Sequence, residues 1–352
     1  NLGDDANQNN IQGGQGGRDP VDIAYEQLER GRAADFMKVI AIADSLPEGN
    51  RRRELIARIA SHWGHVDPRS ALEWVEELVG VERTIAMDHL VSEWAQVDPA
   101  GASEYVANLP LAERSLDYVH RVAQIWTEHD QQGAIAWAGA QENRAVRERA
   151  LRGVAEVWTQ TEPLAAAAFA ASLEDRFERR QILESVAHIW AEQNASDALA
   201  WAAEIGGADG ALATQSILHR LANDDPRHAV AVYEELAPSL PEAHEEGGAS
   251  WQIARELAGR WAMVEPLEAA DWTLSLPEEG EIQRAAVREV ADNWMRIDSI
   301  AASDWISKLP AGAARDAAAG VVVDRITPTD QESAFAWASS IGNEDRRSDL
   351  MH

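Results

Sequence analysis

The chain contains no cysteine in 352 residues. That excludes disulfides, thiolate metal sites and cysteine nucleophiles together. Basic residues are scarce, 31 Lys and Arg against 60 Asp and Glu, for a formal charge of −29. A nucleic-acid surface needs clustered Lys and Arg, and so does attachment to anionic lipid; neither is expected here. No apolar run approaches the roughly 20 residues of a membrane span. Phenylalanine and tyrosine contribute only four residues each, whereas tryptophan contributes 14. The bulk of the large aromatic surface is therefore tryptophan, and its placement carries the argument.

The tryptophans fall in a repeat. The stretch WAQVDPAGASEYVANLP (residues 94–110) has relatives in WGHVDPRSALEWVEEL (63–78), WAMVEPLEAADWTLSLP (261–277) and WMRIDSIAASDWISKLP (294–310). With the leading Trp as position 0, anchors stand at Gly31 (a degenerate unit), Trp63, Trp94, Trp126, Trp158, Trp190, Leu221, Trp261, Trp294 and Ile326. Successive gaps are 31 to 33 residues, apart from one of 40 between Leu221 and Trp261. A period this constant denotes a repeat array.

Each unit reads as two helices. Apolar residues at −8, −7, −4, −3 and 0, such as Ile182, Leu183, Val186, Ala187 and Trp190, form one face of the first helix. Asp, Asn or Glu at +4, often followed by Pro at +5, reads as a cap that starts the second helix after a turn of about three or four residues. Alanine at +8, a large residue at +11 and usually a large aliphatic residue at +15 form the second helix's expected buried stripe. Leu-Pro or Gly ends it. Two antiparallel helices cannot bury their faces alone, so the hairpins are expected to stack. The reading is all-α: a right-handed α-α superhelix, or solenoid, of about ten hairpins of about 32 residues. It is one domain over residues 21–352, preceded by a flexible Gly/Asn/Gln-rich tail at residues 1–20.

On these motifs the chain resembles α-solenoids of the tetratricopeptide and HEAT-like class. It is also similar to uncharacterised exported bacterial repeat proteins rich in W-A-x-x-D-P-x-x-A-x-x-W. The tetratricopeptide unit's own Trp-Leu-Gly-Tyr and Ala-Phe-Ala-Pro spacing is not reproduced. The resemblance implies a non-catalytic scaffold or adaptor that binds protein partners, basic ones or members of a multi-subunit complex, in an extracytoplasmic bacterial assembly. An accessory structural subunit of an envelope or membrane complex is a second reading, and a hydrolase or lyase with its site inside the superhelix a third. The start at Asn1 and the lack of cysteine point to a periplasmic or secreted product, with a trimmed fragment and the cytoplasm as alternatives.

No reaction is legible. His62 and His65 form H-x-x-H, half of a metal site at most, and the ten His share no single register position. The residues imply no cofactor, metal ligand or catalytic group. The +4 acids read as caps, and 13 of the 14 Trp occupy positions 0 or +11, which reads as core, not as a sugar-stacking surface.

Function is then expected where the repeat breaks. The long gap holds an insertion at residues 238–250, followed by Trp251, the one Trp out of register. Leu240, Glu242, His244, Glu245, Glu246 and Trp251 are the candidate partner-binding residues. The adjacent unit lacks aromatics at both positions, with Leu221 and Val232, which implies either a change in curvature or repacking by Tyr233. Arg at −11 (Arg52, Arg83, Arg147, Arg179, Arg315) reads as a partner for carboxylates at the end of the preceding helix. Arg347 continues the series, so the C-terminus is either a short cap or the first helix of an eleventh unit.

Overall fold

In most hairpins a single residue joins the two helices; between Ile326 and Gln331 the connection takes four residues, 327–330. Asp67 is the pattern: its N–H donates to the Trp63 carbonyl at 2.8 Å, closing one helix, and its own carbonyl accepts from Ala71 N–H at 3.1 Å, opening the next. At Asp67, Asp98, Asp130, Glu162, Asn194, Asp225, Glu265, Asp298 and Asp330 the backbone holds φ between −138° and −158° and ψ between 68° and 94°. The reversal is tighter than the three or four residues expected, because the capping residue belongs to both helices. Where +4 is Asp or Asn, its side chain accepts an amide of the following turn, as from Gly101 at 2.9 Å, Gly133 at 3.0 Å and Asp197 at 3.1 Å.

The computed structural model describes residues 19–30, 32–240, 248–277 and 281–351. The anchor Gly31 and residues 1–18 lie outside them. All described elements are helical, without a strand. The chain divides into two compact units, up to Val154 and from Ala155. The first contains α1 (Pro20–Leu28), α2 (Ala33–Ser45), α3 (Asn50–Val66), α4 (Pro68–Glu77), α5 (Gly80–Val97), α6 (Pro99–Ala107), α7 (Glu113–His129) and α8 (Gln131–Gly139), and α9 (Arg144–Thr161) begins in it. The second contains α10 (Pro163–Ser172), α11 (Arg176–Ile205), α12 (Gly207–Asp224), α13 (Pro226–Leu236), α14 (Ala249–Val264), α15 (Pro266–Ser275), α16 (Glu281–Ile297), α17 (Ser299–Lys308), α18 (Ala313–Ile326), α19 (Gln331–Ser339) and α20 (Glu344–Met351). Within α11, Asn194 is the usual joint, so this long helix is itself a hairpin.

Both units repeat one packing plan. Long first helices lie beside one another, α3 on α5 and α5 on α7 in the first unit, α12 on α14, α14 on α16 and α16 on α18 in the second. Positions −8, −7, −4 and −3 are buried in the nine units from Trp63 onward, as in Leu55, Ile56, Ile59 and Ala60 or Ile182, Leu183, Val186 and Ala187. The second helix departs from expectation in part. Ala at +8 is buried in all nine units from Ala71 to Ala334, but its fully buried companion is +12, not +11: Val75, Val106, Ala138, Ala170, Ala202, Tyr233, Thr273, Ile306 and Ala338. The +11 aromatic is buried as expected at Trp201, Trp272 and Trp305 and half-buried at Trp74, Tyr105, Trp137, Phe169 and Trp337, and it packs on its own unit's Trp where there is one. Centroids are 6.0 Å apart for Trp63 and Trp74, 5.4 Å for Trp190 and Trp201, and 5.5 Å for Trp294 and Trp305. This contact locks the two helices of a hairpin together and adds about 0.5–1.5 kcal/mol beyond area burial.

Candidate functional site

Glutamate at +4 behaves differently from aspartate. Glu162 and Glu265 make no side-chain cap. Their extra methylene carries the carboxylate past the amides to the Trp anchor, whose indole N–H donates to it at 3.1 Å (Trp158) and 3.0 Å (Trp261). The Arg at −11 also finds an unexpected partner. Arg147, Arg179 and Arg347 donate to the carbonyls of Gln141, Leu173 and Ile341, each at +15 of the preceding unit. Gln283 does the same to Leu276 at 2.9 Å. The partners are the orphan carbonyls at the end of the short helix rather than carboxylates there, a C-terminal capping role. Some of the set also meet carboxylates: Arg52 reaches Glu82 at 2.9 Å and Asp44 at 3.7 Å, Arg179 reaches Asp209 at 3.5 Å, and Arg347 reaches Glu344 at 3.8 Å. Gly210 holds the same register position, where a Cβ would come within 2.4 Å of the Ala202 carbonyl.

The charged stripe of the long helices is consumed in the same way. In the first unit Arg114 meets Asp88 at 3.3 Å and Arg149 meets Asp117 at 2.6 Å. In the second Arg220 meets Glu192 at 2.9 Å, Arg255 meets Glu289 at 3.4 Å and Arg325 meets Asp292 at 2.6 Å. These pairs join neighbouring hairpins and are half-exposed, so each stabilises by no more than about 1 kcal/mol. The histidines belong to this stripe. His62, His65, His89 and His120 in the first unit, and His188 and His219 in the second, lie on one face of the long helices although only His188 and His219 share a register position. Burial pushes the Glu256 carboxyl up, yet the hydrogen bond and charge of His219, with Gln215 and Arg260, hold it below the usual carboxylate range. Among the described residues no three His, Asp or Glu are grouped to hold a metal ion. No described helix is long and apolar enough to cross a membrane.

The insertion is anchored at both ends. Tyr233, fully buried in α13, bonds through its hydroxyl to Ser250 Oγ at 2.8 Å and meets Trp272 edge-on at 6.2 Å. Its hydroxyl pKa is raised by burial. The unit without aromatics at 0 and +11 is thus repacked from +12. Leu240, which follows a 3₁₀ turn at Ala237–Ser239, is 9% exposed and belongs to the buried apolar cluster of the second unit. Glu242, His244, Glu245 and Glu246 lie outside the described residues. Trp251 is half-buried, and its indole N–H has no acceptor among the described residues. The Arg255 guanidinium sits 5.3 Å from its ring centroid. Together they wall a cleft of about 320 Å³ with Arg288, Glu289, Asp292 and Asp324, over Ala285 and Val321. Arg288 reaches Asp324 at 3.6 Å, so the walls carry paired charges of both signs.

Leu240 and Trp251 therefore end in different settings, one in the core and one on a cleft. The cleft was not legible, because its walls come from three helices whose neighbourhood the repeat period alone does not specify. The burial of +12 in every unit could have been found by comparing it with +11, since +12 is small or aliphatic in nearly every unit. No protein-family model matches this chain, and no curated protein and no solved structure matches it either.

Proposed function

We propose that this chain is a non-catalytic protein-interaction scaffold or adaptor in an extracytoplasmic bacterial assembly, a right-handed α-α superhelix whose partner docks where the repeat is broken, at residues 238–250 and Trp251. One observation carries the reading. The chemistry-bearing residues of the repeat are occupied as caps and ladders, whereas Trp251 lies outside the register and opens on a cleft with charged walls. Tryptophan and arginine are the residue types most enriched where partners bind tightly. The charge of −29 favours a basic partner over nucleic acid.

The test is affinity capture from an extract of the source organism. The intact chain is compared with Trp251→Ala, with Arg255→Ala, and with residues 241–247 replaced by a short Gly/Ser linker. Loss of a defined partner in all three variants is the expected result. Unchanged recovery in all three overturns the reading.

A further inference from the structure

The tip of each hairpin is formed by positions +2 to +7, around the one-residue joint. In most units these positions are polar on at least one side of it. Position +3 is exposed valine in Val66 and Val97, but +6 is Arg69 and Ala100; at Leu164 the +3 residue is Thr161. Among tips from Trp63 onward, only two consecutive ones, α14–α15 and α16–α17, carry large aliphatics on both sides. Val264 is 69% exposed, Leu267 58%, Ile297 56% and Ile300 82%, with Met263 at 66% beside them. Those hairpins pack directly on one another. A contiguous row of large exposed aliphatics marks an interaction surface, unlike apolar residues scattered singly.

The row is set among carboxylates. Glu265 and Glu268 share Arg227, Asp298 caps α17, and Asp304 meets Lys308. Asp271, one turn beyond Leu267, is exposed and has no ion-pair partner among the described residues. The neighbouring tips add Asp224 and Asp225 on one side and Asp330 and Glu332 on the other. An apolar strip bordered by acids complements a partner with an apolar strip bordered by bases.

Other occupants fit less well. Residues 1–18, 241–247 and 278–280 of this chain contain almost no large apolar side chain, only Leu2 and Ile11, and cannot cover the row. A second copy carries the same −29 charge. Five aliphatic side chains also fall short of the about 20–30 residues a side of a stable dimer. An anionic lipid surface is repelled. Stacked helices stand about 8–10 Å apart, and residues i and i+7 of a helix rise by about 10.5 Å. A single helix laid across both tips can therefore set one apolar residue on Val264 and Leu267 and the next on Ile297 and Ile300.

We infer that the tips of α14–α15 and α16–α17 form a docking site for a cationic amphipathic helix of a partner protein, with Met263, Val264, Leu267, Ile297 and Ile300 as its apolar floor. This site is separate from the Trp251 cleft and does not depend on it.

The probe is a fluorescein-labelled peptide with Leu at i, i+3 and i+7 and Lys elsewhere, titrated by anisotropy at physiological salt. Its control is the same composition scrambled to abolish the apolar face. The intact chain binds the amphipathic peptide more tightly than the scrambled one. Leu267→Ser with Ile300→Ser weakens that binding by about tenfold or more, because two apolar contacts are removed; Trp251→Ala leaves it unchanged. Both substituted side chains are exposed, so the core is untouched, and Ile300→Lys alone gives the same loss as a second variant. Equal affinity for both peptides, equal affinity of the intact chain and the double variant, or loss in Trp251→Ala overturns the inference. It is also overturned by a dimer that the double variant abolishes in sedimentation. Pelleting with phosphatidylcholine vesicles that the double variant abolishes overturns it in favour of a lipid surface.

Discussion

Exchanging aspartate and glutamate at the hairpin joints should have opposite effects at two sites. Asp130 Oδ1 accepts the Gly133 N–H at 3.0 Å, satisfying one of the orphan amides of α8. Glu162, at the same register position, makes no such bond and sends its carboxylate to the Trp158 indole at an exposed edge. A cap of this type stabilises by about 1 kcal/mol, whereas an exposed side-chain bond contributes at most a few tenths. Asp130→Glu should therefore destabilise by about 1 kcal/mol, and Glu162→Asp should stabilise by up to about the same amount. Stacked repeats need not unfold in one step, so a global melt dilutes a local effect. The appropriate assay is amide hydrogen exchange at the third residue after each joint, Gly133 and Ala165. Protection at Gly133 should fall about fivefold in Asp130→Glu, and protection at Ala165 should rise in Glu162→Asp. If both substitutions at both sites shift exchange in the same direction, the distinction between capping and indole-bonded joints is wrong.

Four further outcomes follow from the same geometry. Arg147→Ala, which strips the Gln141 carbonyl of its donor, should destabilise its hairpin junction by about 0.5–1.5 kcal/mol, read by urea denaturation; no change would mean that water replaces the guanidinium without cost. Ile306→Ala, fully buried at +12, should cost about 2–4 kcal/mol, whereas Ile300→Ala at 82% exposure should stay within about 0.5 kcal/mol; equal costs would refute the +12 assignment. Tyr233→Phe should cost about 1–2 kcal/mol by leaving buried Ser250 short of a partner, and an unchanged melt would refute the anchoring role. Asp67 is held below the usual carboxylate range by the Ser70 hydroxyl and amide; its stabilisation is present above about pH 4 and is lost as pH falls through the lowered value. In Ser70→Ala its NMR titration midpoint should move up towards the ordinary value, and an unmoved midpoint would sink the assignment.

The hairpins were legible because backbone chemistry repeats in the text of the chain. Asp-Pro after a Trp-anchored apolar face marks a helix end, a cap and a helix start within three letters, and the structure places all three there. Less was legible wherever two residues compete for one surface. Positions +11 and +12 differ by 100° around a helix, and only contact with the neighbouring unit decides how deeply each is buried. Arg147 and Arg179 were matched with carboxylates because charge is visible in a sequence, whereas an unpaired carbonyl at a helix end is not. Leu240 was grouped with its polar neighbours by proximity along the chain, but the Ala237–Ser239 turn returns it to the core. The aliphatic tips were readable at +3 and +6 once aligned, and went unread because single exposed aliphatics are ordinary.

The one-residue joint also determines where this chain can vary in length. A reversal with no spare residue leaves no place to add one: an extra residue at +4 would break either the closing bond to the Trp carbonyl or the opening bond to Ala at +8. The variable gaps, and the single gap of 40 residues, must then accumulate at the opposite ends of the hairpins, between +15 and −11. From Trp63 onward one margin keeps a constant four-residue spacing from anchor to cap, while the other absorbs insertions and deletions. New segments can be gained on that second margin without disturbing the register of the first.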